Sequence, residues 1–274
     1  MVTLKNARLS LLIVAVGTLL AVVLVVLRSG PAPSVDVDPD PAQTLASFTL
    51  TLTQDASYAT PPSPRRLGTG VLDGSTPSGF ARAEHTDPAT GRRYAVVSSD
   101  RGWGLYLIDL SAPTRLAIEV PHANSDLDTE QVGLGLFRKL PGSVLLVTGT
   151  HRKVVDVAHE EDTVFNAVAR LLAERSVPQV QVHGFDDESL PSADVVLSSG
   201  AAPVSPLARA VSLEGFDTCR AWESACGKLE GTKNVQGQDA AALGATFLHV
   251  ELSRSVRSGR LDEVVSQLAK GLKP

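Results

Sequence analysis

Leu116-Ala117-Ile118-Glu119-Val120-Pro121-His122-Ala123-Asn124-Ser125-Asp126-Leu127-Asp128-Thr129-Glu130 is the stretch whose reading decides the fold. Its first five residues have the composition of a buried strand, and the run then breaks into a loop holding one histidine and the carboxylates Asp126, Asp128 and Glu130. Asp128 as N-cap, or Thr129 with the acid that follows it, opens a helix in which Leu134, Leu136, Phe137 and Leu140 face inward. A loop pinned between a buried strand and a helix N-terminus holds side chains rigidly, and loops at strand ends are where α/β proteins usually carry their chemistry.

The same alternation continues to the C-terminus. Strands are expected at Leu116–Val120, Ser143–Thr148, Gln179–His183, Asp194–Ser198 and Thr246–Leu252. Helices are expected near Thr129–Lys139, Thr163–Arg175, Pro206–Leu213 and Leu261–Leu272. That pattern implies an α/β fold with a mostly parallel or mixed central sheet and helices on both faces.

Upstream the chain reads differently. Ala46–Thr53 alternates small or polar with apolar residues, a strand pattern, and Gly, Pro, Ser and Asp from Ala59 to Ser78 indicate loop. Tyr94–Ser98 and Trp103–Asp109, joined by Ser99-Asp100-Arg101-Gly102, read as a β-hairpin. Residues 45–110 therefore form a β-rich appendage or sheet edge to an extracytoplasmic α/β domain spanning 45–274.

The N-terminus carries a membrane signal. After a tail of residues 1–8 with Lys5 and Arg8, Leu9–Leu27 is nineteen residues without a charge, close to the length that spans a bilayer as helix. Positive residues before the span, and Asp36, Asp38 and Asp40 after it, place the tail in the cytoplasm and the rest outside. The run exceeds a usual signal-peptide core and lacks an A-x-A-like site, so a single-pass anchor is the reading, with secretion after cleavage as the alternative. Residues 28–44, rich in Pro, Ser and Asp, read as an extended tether.

With 274 residues, 43% of them hydrophobic, the chain can bury a large core. A net charge of −5 without a basic run gives no reason to invoke nucleic acid. Neither Gly133-Leu-Gly135 nor Gly231–Gly237 matches a phosphate-binding loop, and the absence of G-x-S-x-G disfavours a serine hydrolase. Cys219 and Cys226, the only cysteines, are expected to form a disulfide outside the membrane.

Five of the six histidines fall between His122 and His249, mostly at strand ends. His122-x-x-x-Asp126 brings an imidazole and a carboxylate together, and His183 ends another core strand. Two histidines and one carboxylate are the ligand set of a catalytic zinc site that keeps a position for water. Alternation puts His249 and Glu251 on one face of their strand; a buried glutamate there either acts as general base or bridges to Arg254 or Arg257. Between Thr148 and His159, Arg152 suits a substrate carboxylate, and Asp156 and His159 would orient it; a surface loop of mixed charge is the alternative. His151, His249 and Asn234 complete the candidate residues for substrate contact or ligand orientation.

The order of Pro121–Glu130, Thr150–His159, Gln181–Phe185 and Phe247–Arg257 resembles zinc-dependent amidohydrolases of the carboxypeptidase-like superfamily, nearest to poly-γ-glutamate hydrolases and N-formylglutamate amidohydrolases. The resemblance covers about Arg115 to Arg257, half of the chain. It implies an α/β hydrolase with Zn2+ held by His122, Asp126 and His183, Glu251 as the late general base and an arginine for the substrate carboxylate. The poly-γ-glutamate hydrolases open with a Gly-rich loop and a glutamate where this chain has Pro121-His122-Ala123 and an aspartate, so Asp126 and Glu130 both stand as the acid ligand. The expected function is cleavage of an amide in a γ-glutamyl or cell-wall-peptide-like substrate with a free carboxylate. Two alternatives stand beside it. One is a non-catalytic envelope protein that binds a ligand or partner on the same fold; the other is a β-rich partner-binding module centred on 45–110.

Overall fold

The computed structural model describes residues 39–273, so the expected cytoplasmic tail at 1–8, the expected span at 9–27 and most of the expected tether at 28–44 lie outside the described residues. Among the described residues no helix is long and apolar enough to cross a membrane.

Among the described residues a nine-stranded mixed sheet organises the fold. Its strands in chain order are β1 (Ala81–Thr86), β2 (Arg93–Ser98), β3 (Leu105–Asp109), β4 (Leu116–Val120), β5 (Ser143–Val147), β6 (Gln179–Phe185), β7 (Val195–Ser198), β8 (Thr218–Arg220) and β9 (Phe247–Ser253). In space they run β1-β2-β3-β5-β4-β6-β9-β7-β8. The centre, β5-β4-β6-β9, is parallel. Antiparallel pairing joins β3 to β5 and β7 to β9 at either side.

The helices are α1 (Pro41–Thr49), α2 (Pro64–Leu72), α3 (Thr129–Lys139), α4 (Val164–Glu174), α5 (Pro206–Ala210), α6 (Val235–Leu243), α7 (Arg254–Gly259) and α8 (Leu261–Gly271). Strand alternation splits the core into two layers. Ile118, Val120, Leu145, Val147, Val180 and Val182 pack with α1, α3 and α8, whereas Ala117, Val144 and Leu146 pack with α2 and α4. From β4 the chain returns through α3 on one face to β5, and from β5 through α4 on the other face to β6. β5 and β6 flank β4 on opposite sides, so the connections diverge between β4 and β6. A crevice opens beyond the carboxyl ends of strands at such a switch point.

Two expectations are corrected and one open choice is resolved. Residues 46–53 are not a strand: α1 occupies Pro41–Thr49, and it starts inside the expected tether. Asp40 caps it, accepting from Ala42 N at 2.8 Å, with Pro41 in the first turn. Buried Pro41, Leu45 and Thr49 are spaced by four, a helical repeat that overrides the apparent alternation. The expected loop at 59–78 contains α2, whose Leu67 and Val71 are buried one turn apart. Gly68, which reads as a loop residue, instead lets α2 approach α4: a Cβ there would stand 3.3 Å from Val168 and Leu171 side chains. Of the two alternatives for residues 45–110, appendage or sheet edge, β1–β3 take the second, because β3 hydrogen-bonds β5 and the three strands continue the one sheet as its edge.

Candidate metal centre

Parallel register sets the site. Glu119 of β4 lies beside Gln181 of β6, which lies beside His249 of β9; one step further, His183 pairs with Glu251. These side chains share one face, while Val120, Val182, Val250 and Leu252 point to the other. His122 stands just past β4, across the switch point from His183.

Its loop is held by residues that tolerate left-handed backbone: Asn124 has φ 60° and Asp128 φ 69°. Asn124 donates to Leu52 O at 2.7 Å, and Thr129 Oγ1 donates to Asp126 O at 2.7 Å. Asp128 stands at the N-cap position of α3 without capping it; its carboxylate pairs with Arg254 at 2.5 Å.

Three atoms converge inside this frame. His122 Nδ1 lies 3.1 Å from Asp126 Oδ2 and 3.1 Å from His183 Nδ1, and His183 Nδ1 lies 3.3 Å from Asp126 Oδ2. All three residues are buried. Zinc bonds of about 2.0–2.1 Å in tetrahedral geometry place ligand atoms about 3.3 Å apart, so the three donors have the spacing and chemistry of such a set. His122 Nε2 is 2.7 Å from Asp156 Oδ1, the carboxylate–imidazole arrangement that orients a metal-binding histidine. Glu130 is buried in the first turn of α3 and stands outside the group; Asp126 is the acid that joins the two histidines.

Electrostatics agrees that the triad attracts a cation. Burial works to lower the His122 pKa, but Asp126 and Asp156 prevail and raise it. Burial likewise works upward on Asp126 and Asp156, and their imidazole partners hold both well below the ordinary carboxylate range. His183 is pushed down to about 4 by burial and by His122, against the pull of Asp126. Asp126 and Asp156 thus favour positive charge at His122.

Beside the triad, His249 Nε2 is 3.8 Å from Glu251 Oε1, and with His183 these residues make a second, looser group of potential ligands. Burial, then the nearby Asp126, pushes Glu251 up to about 8. Its Oε2 has no hydrogen-bond partner. Neither arginine bridges to it. Arg257 donates to the carbonyls of Leu252, Leu127 and Phe185, and Arg254 pairs with Asp128.

A cavity of about 790 Å³ opens over these groups, lined by His122, Asp126, Arg152, His183, Asn234 and Glu251 among others. Arg152 donates to Asp126 Oδ1 at 3.3 Å and to Asp156 Oδ2 at 3.4 Å, and its side chain is 40% exposed. His159 reaches Asp156 at 3.2 Å. His151 stands apart: it does not line the cavity, and its Nδ1 accepts from Lys153 N at 3.1 Å.

The wall at Gly227–Asn234 brings in Lys228 and Lys233, which no sequence motif singles out. Cys219 and Cys226 form a disulfide, with Cα atoms 6.0 Å apart, at the base of that wall. Cys226 N donates to Glu230 Oε1 at 2.8 Å, and Ser198 Oγ donates to Glu230 O at 2.6 Å. Gln181 and Gln236, buried under the triad, also escaped sequence reading; the alternation Gln179-x-Gln181-x-His183 on a core strand is the signal that would have found Gln181.

No known family's sequence profile matches the chain, and no curated protein matches it. Among solved structures, YNDL in a zinc-free apo form shares 12% identity over 74% of this chain and 93% of its own, with TM-score 0.38. A Burkholderia mallei protein assigned as a carboxypeptidase shares 14% over 71% of this chain and 64% of its own, also at 0.38. An aspartoacylase family protein from Mesorhizobium loti shares 12% over 70% and 66%, at 0.35. At these identities and scores the likenesses fix no residue's role.

Proposed function

We propose that the chain is a zinc-dependent hydrolase of an amide bond, with the ion held by His122, Asp126 and His183. The convergence of His122 Nδ1, His183 Nδ1 and Asp126 Oδ2 within 3.1–3.3 Å carries the reading. A bound ion of this kind supplies Lewis acidity, polarising a carbonyl oxygen and acidifying water.

The chain's own groups do the rest. Glu251, at the triad's edge with an unpartnered oxygen, takes a proton from the attacking water and returns it to the leaving nitrogen as the C–O bond forms and the C–N bond breaks. A base pushed up to about 8 is poised for both transfers near neutral pH, and a nearby dication favours its ionised form. Arg152 offers a guanidinium at the cavity mouth for a substrate carboxylate, with Asp156 and His159 behind it. Lys228, Lys233 and Arg254 add positive charge around the same cavity, which suits a γ-glutamyl or cell-wall-peptide-like substrate. We place this domain outside the cell, anchored by residues 9–27; the disulfide supports an oxidising location.

Glu251→Gln tests the assignment. With a γ-glutamyl anilide as probe, it is expected to keep stoichiometric zinc and lose about 10²–10⁴-fold in kcat. Undiminished turnover would remove Glu251 from the reaction. A wild-type chain that binds zinc yet cleaves no amide would favour the ligand-binding alternative.

A further inference from the structure

Beneath the triad lies a buried amide network that takes no part in the proton transfers. Gln236, at the start of α6, donates through Nε2 to Val157 O at 2.8 Å. A backbone carbonyl only accepts, so this contact orients the amide and leaves Gln236 Oε1 facing Gln181 Nε2 at 2.9 Å. Gln181 Nε2 also donates to Glu119 Oε2 at 3.0 Å. Both donor hydrogens of Gln181 are thereby engaged, and its Oε1 is turned toward His183 Nε2, 3.0 Å away.

An amide oxygen cannot donate, so the favourable partner is an imidazole carrying hydrogen on Nε2 and a lone pair on Nδ1. Two contacts oppose this tautomer. Asp126 Oδ2, 3.3 Å from His183 Nδ1, would accept a hydrogen there. Asn234 Nδ2 lies 3.2 Å from Nε2 and would donate to a bare nitrogen. Asn234 is drawn instead to Gln181 Oε1 at the shorter 2.5 Å, so the glutamine oxygen collects both donors.

We infer that Gln181 is a positioning residue that fixes His183 as the Nε2–H tautomer and so keeps its Nδ1 lone pair open to a divalent cation. This rests on the reading of His122, Asp126 and His183 as a metal site. Orienting partners of this sort are general among metal-binding histidines and are worth about 10–100-fold in metal affinity.

The test is long-range proton–nitrogen NMR of the imidazoles in the metal-free full-length chain, followed by zinc titration. Wild type is expected to show His183 protonated on Nε2 alone. Gln181→Met, which keeps the bulk and removes the acceptor, is expected to move hydrogen to Nδ1 and weaken zinc binding by roughly 10–100-fold. Gln181→Glu, which keeps an acceptor toward Nε2, is expected to retain the wild-type tautomer and most of the zinc affinity. Should Gln181→Met fail to fold, Gln181→Leu, which also lacks the acceptor, is read by the same two measurements. Hydrogen on Nδ1 in wild type, or a folded Gln181→Met with unchanged tautomer and affinity, overturns the inference. A wild type with the expected tautomer that binds no zinc would overturn the metal reading and leave the role of Gln181 in fixing the tautomer standing.

Discussion

Two buried glutamates near the site have the same perturbation and different circumstances. Glu251 faces the cavity, whereas Glu119 is sealed in the sheet, where burial pushes its carboxyl up to about 8 against one hydrogen bond from Gln181. The consequence for stability has a definite sign. Unfolded, Glu119 ionises near its ordinary value of 4.5; folded, it holds its proton to about 8. Stability is therefore unaffected by this group at low pH and is lost as pH rises from the unfolded value through the folded one, at about 1.4 kcal/mol per unit. Glu119→Gln removes that loss, so its stability relative to wild type should grow steadily between about pH 5 and 8 in urea denaturation. A difference that stays flat over that range would mean Glu119 ionises normally in the folded chain. At this scale the charged members of the site were legible: His122, His183 and Glu251 stand out on strand ends. The choice of Asp126 over Glu130 was not, because it depends on which acid the αL turn at Asp128 leaves facing His183. Gln181 and Gln236 were silent because a neutral amide signals nothing until its partners are seen.

Among the elements, the long buried strands and the helices after them were readable from apolar runs bounded by polar residues, and α3 spans the expected residues. The failures share a cause. In α1 the apolar positions fit both a two-residue and a helical repeat, and only the burial of Pro41, Leu45 and Thr49 on one side selects the second. In α2, glycines that suggested a loop are there for close approach. Gly149, just past β5, makes the same point at the site itself. A Cβ there would fall 2.6 Å from Gly102 O and against the backbone of Gly104, atoms that cannot yield as a side chain tip would. Gly149→Ala should cost roughly 3 kcal/mol by urea denaturation and weaken zinc binding through the loop that carries Asp156. A substitution within experimental error of wild type would show that the β3–β5 edge is loosely packed. The disulfide is an element-scale constraint too. It closes a short loop at the base of the cavity wall, and Cys219→Ser with Cys226→Ser should lower stability by about 2 kcal/mol in the same assay. No loss would mean the wall is held by Glu230 alone.

For the whole molecule, the placement of the site follows from topology. Strands β5 and β6 lie on opposite sides of β4, the helices between them cover opposite faces, and the switch point brings the loop after β4 to the end of β6. The sequence predicted a sheet with helices on both faces. It did not disclose the order of strands, because pairing over more than sixty positions, as between Glu119 and Gln181, leaves no mark on local composition. That the hairpin strands extend the same sheet was one of two readings it left open, and the pairing of β3 with β5 selects it. The account's central claim is that this switch point holds one zinc ion on His122, Asp126 and His183. Metal analysis of the purified chain after dialysis against zinc tests it most directly. The account predicts one zinc per chain in wild type and none retained in His183→Ala; a wild type without zinc, or a His183→Ala chain that keeps it, would contradict it.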